Sequence, residues 1–122
     1  MSTENLMLVT AYIHPHLEAR VVQALRELPE FPGFSLTDVR GQGRGRGVDG
    51  AYLATESDLL YQRHLQVQIV CAADAVEPLS RVLVDAAWTG RAGDGVLFVT
   101  PVCSMVRIRE AGGGHPQTEA QR

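Results

Sequence analysis

Cysteine is scarce in this chain: Cys71 and Cys103 are the two in 122 residues. Neither has the Cys-x-x-Cys or Cys/His spacing of a metal knuckle, and each sits in or beside a run of β-branched residues. Both therefore read as buried free thiols rather than as a disulfide or a zinc site. Long apolar runs are missing as well. Nothing approaches the roughly 18 consecutive apolar residues that cross a bilayer, which excludes a helical membrane span. Positive charge is not in excess: 11 Lys and Arg stand against 14 Asp and Glu, a net charge of −3, which argues against bulk nucleic-acid binding. The start, Met1-Ser2-Thr3-Glu4-Asn5, lacks the basic segment and apolar stretch of a secretory leader, so the expected location is the cytosol. No Ser-His-Asp, Cys-His or paired-carboxylate arrangement can be argued from spacing. Side-chain catalysis, and hence an enzyme, is not expected.

What is present is a globular composition, 45% hydrophobic and 20% charged, in a length that suits one domain. Residues 7–13 are a short apolar run ended by His14-Pro15, predicted as a strand buried on both faces. Leu17, Val21, Leu25 and Leu28 then recur every three to four residues between charged neighbours, predicting an amphipathic helix on a sheet. Residues 34–39 alternate as a second strand and enter the first glycine-rich turn. Residues 48–64 carry no convincing core pattern, and an excursion of that length in so small a domain is usually functional or mobile. Residues 65–71 alternate clearly as a third strand. Asp74 is the predicted cap of a second helix whose inner face holds Val76, Leu79, Val82, Leu83, Ala86 and Trp88. Residues 96–99 form a fourth strand, followed by a last extended stretch, 103–108, and a polar tail from residue 112 that should be disordered.

The order is βαββαβ, the split βαβ arrangement of an α+β ferredoxin-like sandwich. Crossover handedness then predicts an antiparallel sheet with both helices on one face. The other face is expected to carry Leu, Val and Ile from several strands. That is more apolar surface than a monomer shows to water, so an oligomer with sheet faces meeting around a threefold axis is predicted.

Two glycine-rich turns lie about fifty residues apart: Gly41-Gln42-Gly43-Arg44-Gly45-Arg46-Gly47 and Thr89-Gly90-Arg91-Ala92-Gly93-Asp94-Gly95. Glycine lets successive backbone N–H groups converge on an anion without a Cβ in the way, and the arginines add fixed positive charge. Arg107 and Arg109 are two apart, on one face of a strand if that stretch is extended. Together these segments point to a phosphate-binding crevice. Neither turn is a Walker A loop, since no Gly-Lys-Ser/Thr follows, and neither opens a helix as a dinucleotide fingerprint does. Taken by itself, the second turn also reads as a helix terminator at Gly90 with Asp94-Gly95 as a type I′ turn. The arginine–glycine run resembles RNA-binding segments, but a single repeat in an acidic chain without an aromatic platform leaves nucleic acid out of the expected partners. His14-Pro15-His16 offers two imidazoles as candidate metal ligands, an incomplete shell that His64 and a subunit partner could complete.

Over residues 7–111 the chain resembles the PII signal-transduction proteins and their PII-like relatives. The most specific pieces are residues 89–99, which look like the family's B-loop signature, and Val106-Arg107-Ile108-Arg109, which looks like the end of its last strand. Residues 38–44 are similar to the segment that opens the family's long T-loop, here about residues 42–64. The resemblance implies a homotrimer that binds an adenine nucleotide (ADP, AMP or ATP) between subunits and docks on a membrane transporter or metabolic enzyme through the T-loop. Gly41, Gly43 and Arg44, with Thr89, Gly90, Arg91, Gly93, Asp94 and Gly95, would hold the nucleotide, and Arg107 and Arg109 would reach its phosphates from the neighbouring subunit. Departures carry information too. The B-loop lysine is Val96, which removes a phosphate contact and favours ADP or AMP over ATP. The T-loop glutamine that helps hold magnesium and 2-oxoglutarate is Gly45, which argues against 2-oxoglutarate sensing. Ser57 stands where enteric members carry the tyrosine that is uridylylated. Lys-Pro-Phe after the first strand is His14-Pro15-His16, which keeps open a divalent-metal role linked to heavy-metal efflux. A bicarbonate-responsive regulator of inorganic-carbon uptake is the other alternative.

Overall fold

The computed structural model describes residues 5–41 and 62–113. Its elements are β1 (Leu6–Ile13), α1 (Glu18–Arg26), β2 (Ser35–Gly41), β3 (Gln62–Ala72), α2 (Val76–Ala87), β4 (Val96–Pro101) and a one-turn helix, α3 (Ile108–Ala111). The four strands form one antiparallel sheet in the order β2-β3-β1-β4. The predicted βαββαβ order and ferredoxin-like α+β arrangement are therefore observed. Each β–α–β crossover skips one strand and returns parallel to its start, so right-handed connections place α1 and α2 on the same face.

Register fixes what each face carries. Val9 lies opposite Ile69 and Val99, Ala11 opposite Val67 and Leu97, and Ile13 opposite Leu65. These residues line the helix side and join Val21, Leu25, Leu79 and Leu83 in one core. The stripe predicted for α1 is the face that is buried, with Leu17, Val21 and Leu25 nearly sealed from solvent. Truncating Leu25, fully enclosed, would cost about 2–5 kcal/mol.

Several expectations are corrected. β1 is covered on its helix side, while Met7, Leu8 and Tyr12 are only half-buried. The open face is mixed rather than a Leu, Val and Ile surface, because it alternates Leu8, Val70, Val96 and Phe98 with Thr37, Gln66, Gln68 and Thr100. β3 begins at Gln62, three residues before the alternation becomes legible. Asp74 falls in a 3-10 turn, Ala73–Ala75, and α2 starts without a side-chain cap. Trp88 is 63% exposed, beyond the last turn of α2 rather than on its inner face. Cys71 is buried as expected and Cys103 is exposed. The stretch after β4 is not a fifth strand: it leads into α3, so Arg107 and Arg109 do not share a strand face. The tail from residue 114 lies outside the described residues.

Candidate functional site

α2 ends at Ala87, and the chain turns extended at Trp88 before crossing back to β4. Three glycines make that crossing, Gly90, Gly93 and Gly95, with φ of +81°, +87° and +106°. L side chains rarely adopt such values. At Gly95 space is decisive too, because a Cβ would sit 1.8 Å from the Tyr12 carbonyl oxygen. The loop thus lies directly on the end of β1.

Asp94 organises it. Its Oδ2 accepts the backbone N–H of Thr89 and of Gly90, each at 2.9 Å, and its Oδ1 accepts the Thr89 hydroxyl. The Thr89 hydroxyl oxygen accepts in turn from the N–H of Arg91 at 3.2 Å. Hydrogen bonds from Thr89, with smaller help from Gly90 and His14, hold the Asp94 carboxyl down to about 2, so it is a carboxylate throughout the neutral range. Asp94 has no positive φ, so the type I′ turn at Asp94-Gly95 does not form. Its carboxylate spans the loop where a tight turn was expected.

Histidines hold the loop from the sheet side. His14 Nε2 donates to Asp94 Oδ1 at 3.1 Å, and His64 Nε2 donates to the Gly93 carbonyl at 3.3 Å. His14 lies 5.4 Å from His16, centroid to centroid, and is stacked on His64 at 5.9 Å. The two rings put forward as metal ligands are therefore neighbours, but among the described residues no group of three or more His, Cys, Asp or Glu is arranged to hold a metal ion.

The first glycine turn meets the second at its base. Gly41 ends β2 opposite Gln62 of β3, and the Gln62 amide would lie 3.1 Å from a Cβ on Gly93. Gly41 is open on its own account: a Cβ there would meet no heavy atom within 4 Å, and its φ is not positive. Gly43 and Arg44 lie outside the described residues. Arg91 is exposed on the loop, and Arg107 and Arg109 are exposed at and in α3. Beside the loop a largely apolar cavity of about 180 Å³ opens between β1, α2 and β4, with Tyr12, Leu83, Trp88 and Val96 among its walls and Asp94 at its rim. Sequence reading missed the role of His64 as a support of the loop, for which the one signal was its position just before the third strand. It also took Asp94 for a turn former, although Thr89 five residues earlier marks the bridge.

No helix among the described residues is long and apolar enough to cross a membrane. The family model for nitrogen regulatory protein P-II matches residues 6–112. The nitrogen regulatory protein P-II of Azospirillum brasilense is 36% identical over 107 residues, covering 86% of this chain and 95% of that protein. The Synechocystis protein of the same name is 39% identical over 88 residues, 72% of this chain and 76% of its own length. Among solved structures, Arabidopsis thaliana PII bound to citrate superposes with a TM-score of 0.69 at 26% identity, covering 88% of this chain and 92% of that one. With the sheet order, the glycine loop and these likenesses in agreement, the chain belongs to the nitrogen regulatory protein P-II family of signal-transduction regulators.

Proposed function

We propose that this chain is a cytoplasmic, non-enzymatic regulator that binds an adenine nucleotide on the glycine loop and relays its state to a transporter or metabolic enzyme through the segment at residues 42–64. The observation that carries this reading is the loop itself. Three positive-φ glycines are held in one shape by the Asp94 carboxylate, which occupies the N–H groups of Thr89 and Gly90. A backbone fixed in advance binds an anion without a further ordering cost. Arg91 lies on the loop and Gly41 near its base, with Gly43 and Arg44 following Gly41 in sequence. The citrate carried by the Arabidopsis relative is a polyanion, which fits a fold that accepts such ligands.

The cleft is completed by a second subunit in a homotrimer. Support comes from the open sheet face, where Val70, Val96 and Phe98 are 38%, 54% and 43% exposed. Arg107 and Arg109 of the neighbour then supply charged hydrogen bonds to the phosphates, each worth about 1.5–3 kcal/mol. Val96 in place of a lysine at the end of the loop favours ADP or AMP over ATP. The nucleotide biases the partner-docking segment only as far as it binds one arrangement better than another.

The test is calorimetric titration of nucleotide-free protein with AMP, ADP and ATP, repeated for Arg107→Ala. Binding near one site per subunit, weakened about tenfold or more by the substitution while the assembly keeps its mass, is the expected result. Absence of nucleotide binding under every condition would make the loop structural.

A further inference from the structure

The sequence holds one tryptophan, Trp88, and it stands 63% exposed at the junction between α2 and the glycine loop. Leu83 and Ala87, just before it on the helix, are buried, so the core does not account for so large a side chain. Its backbone is pinned to the helix. The Trp88 N–H donates to the Val84 carbonyl at 2.9 Å, and the chain then leaves α2 in extended form, with φ −75° and ψ 129°. The indole lies over the loop that follows. A Cβ on Gly90 would sit 3.0 Å from Cζ2, 3.1 Å from Cη2 and 3.6 Å from Cε2 of its six-membered ring. The ring therefore rests on the bare Cα side of Gly90.

That contact falls where the backbone is least constrained by its own chemistry. A glycine at φ +81° can pass to other backbone regions at little steric cost, so something outside it must hold the shape. Asp94 does part of this by accepting the Gly90 N–H at 2.9 Å. That bond fixes only the nitrogen side of the residue. The next peptide carries the Arg91 N–H, tied to the Thr89 hydroxyl by a longer bond of 3.2 Å. The indole packs against Gly90 in this one conformation, and those van der Waals contacts are lost when the glycine leaves it.

We propose that Trp88 is a positioning residue for the glycine loop: its indole, packed on Gly90, holds the Gly90–Arg91 backbone in the shape that presents the loop and Arg91 to an anionic ligand. Exposure separates this role from core packing. Removing a side chain that is 63% exposed takes little from the core, whereas the three nearest atoms on that side of Gly90 all belong to the indole. The hold on the loop is read from the contact itself; its effect on affinity rests on the nucleotide site proposed above.

The test compares Trp88→Ala and Trp88→Phe with the unaltered full chain. By NMR relaxation the backbone order parameters of Gly90 and Arg91 should lie near about 0.85 in the unaltered protein and fall toward about 0.6 in Trp88→Ala. Trp88→Phe, which keeps a ring, should fall between them. The urea midpoint of Trp88→Ala should stay close to that of the unaltered protein, while ADP affinity measured by calorimetry drops about fivefold or more as the loop must be ordered on binding. The unaltered protein also carries its own reporter, since the single indole should change its emission along the ADP binding curve. Equal order at Gly90 and Arg91 with and without the indole overturns the proposal, as does an emission unmoved by ADP that calorimetry shows to bind. An affinity loss matched by a lower urea midpoint would make Trp88 a core residue and overturn it too. ADP held equally well by a loosened loop removes Trp88 from ligand positioning and leaves the nucleotide reading intact. A loosened loop in a protein that binds no ADP in any form sinks the nucleotide reading and supports the hold on Gly90.

Discussion

A methyl group on Gly95 would lie 1.8 Å from the Tyr12 carbonyl oxygen, at a φ of +106°, whereas one on Gly41 would meet nothing. Gly95→Ala is therefore expected to destabilise the chain by at least about 1–3 kcal/mol from backbone strain alone, and Gly41→Ala to leave stability nearly unchanged. Urea unfolding of the two variants measures the contrast. Asp94 gives a second expectation at this scale. Its carboxyl lies at about 2, below the ordinary 3.8, so its contribution to the fold is in place above about pH 4 and is lost as pH falls toward 2. Asp94→Asn should flatten that part of the acid unfolding curve, and an unaltered curve would show that the loop does not depend on the charge. At both positions the sequence displayed the glycines and the aspartate but not their work. Which glycine is obligatory depends on what the chain passes over, and Tyr12 is more than eighty residues away in sequence.

At the scale of elements, the strands and the two long helices were legible because each buries one face, and burial writes a period of two or of three to four into the sequence. Leu65, Val67 and Ile69 show this, as do Val21 and Leu25. The stretch after β4 was not legible. Val106 and Ile108 are β-branched and read as strand, yet they are 65% and 87% exposed and lead into one turn of helix. Residues that bury neither face leave no periodic record. Register exposes a further feature: Arg40 on β2 lies directly opposite Arg63 on β3. Like charges opposed across an antiparallel pair are unfavourable, so Arg63→Glu should stabilise the sheet by about 0.2–1 kcal/mol. A lowered urea midpoint in that variant would mean that the two guanidinium groups serve each other through a shared anion.

For the whole molecule, the assembly is the feature to test. Phe98 packs edge-on against Tyr12, with ring centroids 6.1 Å apart, on the open sheet face at its β4 edge. Phe98→Glu should reduce the proposed trimer to a folded monomer in sedimentation experiments, since a carboxylate there costs nothing in water and several kcal/mol in a sealed interface. An unchanged sedimentation coefficient would place the interface elsewhere. The need for an oligomer was inferred from a surplus of apolar residues, and the mixed open face makes that surplus smaller than the sequence alone implied. The order of the strands bears on how the fold is reached. β1 is paired on one side with β3 and on the other with β4, both distant along the chain, and the β2–β3 ladder closes across the intervening residues 42–61. Among the described strands no ladder pairs residues close in sequence, so each must close a long loop before it gains anything. Folding should accordingly be slow for so small a chain. One edge of the first strand stays unpaired until β4 has been made, and it is the edge most in need of protection during synthesis.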